Sequence, residues 1–126
     1  MLLIAPLAVH DDLAPALQPL NEKAETESAL DADDLARLIA VFDGVARQFE
    51  KVTETKTITA ATDAPQAMLL YIDRQRFLMF CTAKAARDLM FLADGDKGPA
   101  ALDERRETLA AMEHSVSKPT GLAGCP

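Results

Sequence analysis

Two segments of the chain repeat apolar residues at alternating steps of three and four, and this spacing constrains the fold more than any other feature. Such positions share one face of an α-helix, so each segment predicts a long helix with one buried stripe. No segment alternates as a convincing strand would. The first stripe consists of Leu35, Leu38, Phe42, Val45, Phe49 and Val52. The second consists of Leu69, Ile72, Arg76, Met79, Ala83, Ala86 and Met90.

The boundaries of these two helices are marked by capping residues. Asp31 is a favourable N-cap, and Asp34 follows three residues later in the first turn. The helix is expected to fray or end between residues 53 and 63, where the sequence becomes rich in threonine. The next helix is predicted to begin with Asp63 as its cap and Pro65 in its first turn. The glycines and aspartates of "ADGDKG" should end it.

Two further helices are predicted, one at each end of the chain. The first runs from about Asp11 to Glu25, with Pro15 tolerated in its first turn and Pro19 expected to kink or end it. The last starts at Pro99, and the segment after residue 118 is expected to be a loop or tail. Apolar and polar residues that follow the same spacing in the last helix are Leu102, Arg106, Leu109, either Met112 or Glu113, and Val116.

These elements predict an all-α fold, an up-and-down bundle of about four helices, because short loops join antiparallel neighbours. A chain of 126 residues, 49% hydrophobic and 26% charged, has the length and composition of one globular domain. We place this domain at residues 1–118 and a tail at residues 119–126. The apolar segment at residues 1–12 is too short to span a bilayer and lacks a basic leader, so it is interpreted as the lead-in to the first helix.

The charge and the motifs disfavour several classes of function. A formal net charge of -7 should repel nucleic acid. No catalytic triad order, phosphate-binding loop or zinc spacing is present, so we expect no enzyme activity, no cofactor and no metal site. His114 faintly resembles the histidine of a phosphotransfer bundle, but a surface histidine near a helix C-terminus is the ordinary explanation. Cys81 and Cys125 do not form a metal motif, and the pattern leaves open whether they are bridged.

The most unusual residue is Arg76, because its spacing places a guanidinium on the apolar stripe. A buried arginine is costly unless it is paired and hydrogen-bonded. Three interpretations follow: it snorkels or pairs with an acid such as Asp43 or Glu50, it binds a small anion where two chains meet, or it fixes the register of a dimer. Arg74, two residues earlier, should point away into solvent.

The stretch "IDRQRFLMFCTAKAARDLMFLADG" resembles the signature of the type IV pili methyl-accepting chemotaxis transducer N-terminal domain, the PilJ-like family. Arg74, Gln75 and Arg76 match its R-Q-R, and Ala83 and Lys84 match its A-K. The chain departs from the signature at its glycine, which is Asp73 here, and at its S-Q-R. The residues in place of S-Q-R are Met79, Phe80 and Cys81.

The resemblance implies a non-catalytic sensory or signalling input domain, either alone or as one repeat of a tandem protein. The family is related to nitrate sensor domains of the NarX type, where an arginine from each protomer holds the anion at a dimer interface. The corresponding ligand-binding residues here would be Arg76, with Arg74 and Gln75 beside it. The resemblance also implies a periplasmic location and a homodimer or partner helices. A cytoplasmic location remains the alternative, since no clear signal peptide is present, and a helical interaction or adaptor module without a ligand remains the alternative function.

Overall fold

The computed structural model describes residues 14–26, 29–116 and 125. Helices make up 82% of these residues, and no strand occurs among them, which confirms the all-α prediction. The described part contains five α-helices rather than about four. Their bounds, labelled in chain order, are α1 Gln18–Glu25, α2 Ala32–Ala60, α3 Gln66–Met90, α4 Lys97–Glu104 and α5 Arg106–Ser115.

The first helix is shorter than predicted. A 3-10 turn covers Ala14–Leu17, and α1 begins only at Gln18, so Pro19 lies in its first turn, where the missing N–H costs nothing. The expected kink at Pro19 is therefore wrong. Leu17 and Leu20 are buried in the core. The predicted start near Asp11 and the lead-in at residues 1–12 lie outside the described residues.

Helix α2 begins and ends where its sequence predicted. Asp31 is the N-cap, its side chain accepts from the backbone N–H of Asp34 at 2.9 Å, and the Asp34 carboxylate accepts from the N–H of Asp31 at 3.1 Å. This reciprocal box satisfies two N–H groups that the first turn leaves open. At the other end, threonine hydroxyls donate to carbonyls four residues earlier, as Thr53 does to Phe49 at 2.8 Å, and the helix continues to Ala60.

Helix α3 packs antiparallel to α2 along the two predicted stripes. The stripe residues of α2 are all buried, and those of α3 are buried from Ile72 to Met90, with Leu69 half-buried. Contrary to prediction, Asp63 does not cap this helix, because α3 starts at Gln66 and Pro65 occupies the N-cap position. The "ADGDKG" segment ends the helix as expected, and Gly95 there has a φ of +74°, which favours glycine.

The predicted last helix is two short ones, broken at Arg105. Helix α4 begins at Lys97, two residues before the expected start, and its Gly98 lies almost against the end of α3. A Cβ on Gly98 would meet the carbonyl oxygen of Met90 at 2.2 Å, so only glycine allows this approach. The core side chains of α4 and α5 are Ala101, Leu109 and Met112.

A disulfide joins α3 to the C-terminal segment, which answers the question that the sequence left open. The Cys81 and Cys125 sulfurs are bonded at 2.11 Å, across 44 residues of sequence. Cys81 is 8% exposed, in the core cluster, whereas Cys125 is exposed. The bond therefore attaches residue 125, part of the predicted tail, to the middle of α3.

Candidate functional site around Arg76

Arg76 points inward, as its position on the α3 stripe predicted. It is only 3% exposed, and the neighbouring stripe residues Ile72 and Met79 are fully buried. Its guanidinium lies over the ring of Phe49 on α2, with Cζ 4.9 Å from the ring centroid. A cation over the face of an aromatic ring is favourable, and more so when water is excluded. The apolar stripe thus holds a charge that is packed against an aromatic face.

Three helices supply the hydrogen-bond acceptors of Arg76. Its Nε–H donates to the hydroxyl oxygen of Thr53 on α2 at 3.1 Å, and its Nη2 donates to the Ser115 hydroxyl oxygen at the end of α5. Among the described residues, the carboxylate that contacts Arg76 is Asp73, one turn earlier on α3, at 3.4 Å from Nη1. Arg76 therefore connects α2, α3 and α5 mainly through neutral hydroxyl groups.

The Asp73 carboxylate is shared with a second cation. Lys56 Nζ lies 2.7 Å from the same oxygen, Oδ1, which Arg76 contacts at 3.4 Å. The closer partner of Asp73 is thus the lysine. As a consequence, the buried guanidinium receives only part of one carboxylate's charge, and its two other acceptors carry none.

The prediction that Arg76 pairs with Asp43 or Glu50 was wrong. Asp43 pairs with Arg105 instead, and Glu50 forms no ion pair with any described residue. The antiparallel register explains this, because Arg76 lies opposite Thr53. Ten residues of helix separate Thr53 from Asp43, about 15 Å at 1.5 Å per residue.

The other two predicted ligand residues do not join Arg76. Arg74 is exposed and Gln75 is half-buried, since consecutive helical positions lie about 100° apart. None of the hydrogen bonds of the described residues links either side chain to Arg76. The R-Q-R motif therefore places one arginine in the core and the other at the surface.

A second arginine site, which the sequence did not reveal, lies at the break between α4 and α5. Arg105 donates from Nε and Nη2 to the two carboxylate oxygens of Asp43, each at 3.1 Å, and from Nη1 to the carbonyl of Ala101 at 3.1 Å. Its guanidinium lies 6.0 Å from the ring centroid of Phe42. No local pattern marks Arg105, because its partner is 62 residues away.

A groove of about 370 Å³ lies beside the Arg76 cluster, between α2 and α5. Its floor includes Phe49, the same ring that carries the guanidinium, and Met112, both buried. Glu50 and Glu107 stand on its rim and are exposed. The groove is therefore apolar at its base and acidic at its mouth.

Among the described residues, two groups have perturbed pKa values, Lys23 of α1 and Asp34 at the start of α2, and both lie away from the Arg76 cluster. The hydrogen bond from Lys23, at 2.7 Å, lowers the pKa of Asp34 below its ordinary value, and the backbone N–H of Asp31 adds to this effect. The same bond raises the pKa of Lys23. Both directions favour the ionised pair, so this contact fastens α1 to the capped end of α2.

The remaining features considered from the sequence are His114, metal-binding groups and membrane-spanning helices. His114 is exposed in the last turn of α5, and Lys118 lies outside the described residues. Within the described part of the chain, no group of three His, Cys, Asp or Glu side chains is arranged to hold a metal ion. In the same residues, no helix combines the length and the apolar character that a membrane crossing requires. The chain matches no family model, no curated protein sequence and no solved structure.

Proposed function

We propose that the chain is a non-catalytic sensory or signalling input domain, an up-and-down helical bundle of the PilJ-like type, which binds a small oxyanion such as nitrate at Arg76. One observation carries the proposal: a buried guanidinium whose acceptors are mainly two neutral hydroxyls. Arginine presents a planar fork of N–H donors that suits the oxygens of a planar oxyanion. The resemblance of the Arg74-Gln75-Arg76 segment to the family signature points to the same side chain.

Binding would exchange weak acceptors for a charged one. An oxyanion at Arg76 would take the place of the Ser115 or Thr53 hydroxyl, or compete with Asp73. The bonds from Arg76 to the hydroxyls already have a charged donor, and an anionic acceptor adds a Coulombic attraction that a neutral hydroxyl does not supply, so the exchange with a hydroxyl favours the anion. The negative charge of Asp73 opposes it, although Lys56 already neutralises that carboxylate at 2.7 Å.

The same exchange supplies a route for a signal. Because Ser115 is the last residue of α5, its release from Arg76 would free the end of that helix from α3. The version of the site in which two protomers each offer an arginine requires this movement, since Arg76 is 3% exposed within a single chain. Release of α5 is therefore the step that would couple ligand binding to dimer formation.

The Cys81–Cys125 bond supports the extracytoplasmic location that this function implies. Structural disulfides persist in the periplasm and outside the cell and are rare in the reducing cytoplasm. A cytoplasmic chain would hold both thiols reduced, and α3 would lose its covalent link to residue 125. Thiol labelling of the protein from its native compartment, with and without prior reduction, tests this inference.

Thermal unfolding with nitrate, nitrite and chloride tests the proposal. Nitrate at about 100 times its dissociation constant should stabilise the fold by about 2.7 kcal/mol, whereas chloride at equal ionic strength should not. Arg76→Lys should remove the response, because an ammonium lacks the planar fork. Arg74→Lys is the matched control and should respond as the wild type does, since Arg74 is exposed.

Removing the competing charge provides the opposite test. Asp73→Asn should increase the response to nitrate, because the anion no longer meets a carboxylate beside Arg76. No midpoint shift with any oxyanion, in the wild type and in Asp73→Asn alike, would contradict the proposed site.

A helical interaction module without a ligand is the second candidate, and a different observation favours it. Large apolar side chains are exposed where α2 ends and α3 begins: Ile58 is 68% exposed, Leu70 59% and Tyr71 50%. Where such side chains form one contiguous apolar patch, that patch is the kind of surface that contacts other proteins. If the Leu70→Ser/Tyr71→Ser variant loses self-association in sedimentation while nitrate has no effect on any variant, this second function is favoured.

A further inference from the structure

The groove between α2 and α5 combines an apolar base with two carboxylates. Helix α2 contributes Ala46, Phe49 and Glu50, and α5 contributes Glu107, Ala111 and Met112. The alanines leave room between the helices because their side chains are small. At about 370 Å³ the groove lies at the lower end of the range of small-ligand sites.

Glu50 and Glu107 are available for a ligand. Neither forms an ion pair with any residue that the structure describes, while the nearby carboxylates Asp43 and Asp73 are paired with Arg105 and Lys56. Each glutamate is exposed, one on either helix wall. Together with a formal net charge of -7 on the chain, they attract cations and repel anions at this face.

The base of the groove favours a ligand with an apolar body. Phe49 is 4% exposed and Met112 is also 4% exposed, and the Ala46 side chain is half-buried. One face of the Phe49 ring is occupied by the Arg76 guanidinium, at 4.9 Å. The charged head of a ligand must therefore be held by the rim carboxylates, while its apolar part rests on the base.

We propose that this groove binds a small amphiphilic amine, an ammonium group attached to a short aliphatic or aromatic body. The ammonium donates to Glu50 and Glu107, and the body covers Ala46, Phe49 and Met112. The proposal is independent of the oxyanion at Arg76, since the two ligands have opposite charge and contact different groups. The sites nevertheless share Phe49, so an amine in the groove lies against the ring on which Arg76 is stacked.

Titration of the full chain with 2-phenylethylammonium, followed by methyl NMR, tests the proposal. The methyl signals of Met112, Ala46 and Ala111 should shift together and saturate at millimolar amine, an affinity of about −4 kcal/mol on the usual scale. The neutral analogue 2-phenylethanol should bind several times more weakly, because it cannot satisfy the carboxylates. Equal binding of the amine and the alcohol would overturn the assignment of the rim glutamates.

Two pairs of substitutions locate the site. Glu50→Gln/Glu107→Gln should weaken binding of the amine by at least about threefold, as expected for the loss of two exposed ion pairs. Glu54→Gln/Glu113→Gln removes the same charge from the same two helices outside the groove, and should leave the affinity unchanged. A similar loss in both double variants would mean general charge attraction and would overturn the proposal. A lysine-containing helical peptide that binds in the groove much more tightly than the amine would also overturn it, in favour of a protein partner.

Discussion

Arg76 and Arg105 both turn toward α2, and they have different partners. Both lie over phenylalanines of α2 that are one heptad apart, Arg105 over Phe42 and Arg76 over Phe49. The fork of Arg105 is matched by both oxygens of Asp43, at 3.1 Å each. Arg76 instead meets two hydroxyls and one oxygen of Asp73 at 3.4 Å.

This difference distinguishes a structural arginine from a candidate binding residue. At Arg105 the charge is neutralised by the bidentate carboxylate of Asp43, and Glu104 adds a second carboxylate at 3.6 Å, so a solution anion gains nothing by entering. At Arg76, which is more deeply buried, the carboxylate is shared with Lys56. The side chain with less compensation is the one that an oxyanion would stabilise most. Burial alone does not identify such a site, and the charge of the acceptors must be counted as well.

The largest loss of stability is expected from removing the disulfide. Its Cys81 lies on α3, the helix that carries Arg76. Cys81→Ala/Cys125→Ser should lower the free energy of unfolding by about 2–4 kcal/mol, because the bond closes a long loop in the unfolded chain. Urea unfolding of the variant and of the reduced wild type should agree. In NMR the Nε–H signal of Arg76, five residues from Cys81, should change more than that of Arg105. An equal change at both arginines would show that the bond does not distinguish the two regions.

The next largest loss in the free energy of unfolding should come from substituting Arg76 itself. Arg76→Ala removes three hydrogen bonds and leaves a cavity over Phe49, so we expect a loss of about 2–4 kcal/mol. Arg76→Met fills the same space with an apolar chain and needs no acceptor, so its cost should be within about 1 kcal/mol. Denaturant midpoints of the two variants measure this contrast. If methionine costs as much as alanine, then the hydrogen bonds and not the packing hold the three helices together, and Arg76 is structural in the same sense as Arg105.

The sequence predicted the helical stripes well and the partners of the arginines poorly. The three-and-four spacing and the capping residues are local properties, so the α2–α3 pair and the inward position of Arg76 followed from the spacing, and the Asp31 cap followed from its residue type. The partners of Arg76 depend on which residue of α2 lies opposite, and that register is set by the length of the turn between the helices. Arg105 was missed because the break between α4 and α5 turns its side chain toward Asp43, and no residue near Arg105 predicts that break.

Removing the carboxylate charge beside Arg105 should lower the stability more than removing the one beside Arg76. Asp43→Asn leaves the Arg105 fork with one acceptor oxygen instead of two and should cost about 1 kcal/mol. Asp73→Asn should cost about half as much when it is measured in a Lys56→Met background, where the ion pair between Lys56 and Asp73 is already absent, since the amide oxygen can still accept the one bond from Arg76. Thermal unfolding of the two isosteric variants measures the difference. A greater cost for Asp73→Asn would identify Asp73 as the true counterion of Arg76 and would remove the asymmetry on which the oxyanion proposal depends.

The smallest effect concerns acid stability, to which the guanidiniums themselves do not contribute, because arginine stays protonated at any ordinary pH. The pKa of Asp34 is lowered in the folded chain by its bond from Lys23 and by the N–H of Asp31. The ionised Asp34 therefore makes its full contribution to the free energy of unfolding above its unfolded pKa, near 4. That contribution is lost as the pH falls through the lower pKa of Asp34 in the folded chain. Urea midpoints from about pH 5 to pH 2 should fall less steeply in Asp34→Asn than in the wild type.

The neighbouring residue Asp33 supplies the control for this measurement. It is exposed in the same first turn of α2 and lies outside the capping box, so Asp33→Asn should follow the wild-type acid profile. The Lys23–Asp34 pair, whose lysine side chain is 43% exposed, gains less from its charges than the buried arginines do from theirs. If Asp33→Asn flattened the profile as much as Asp34→Asn, the acid sensitivity would come from the helix N-terminus as a whole. The fastening of α1 to α2 would then depend on Leu17 and Leu20 in the core instead of on this ion pair.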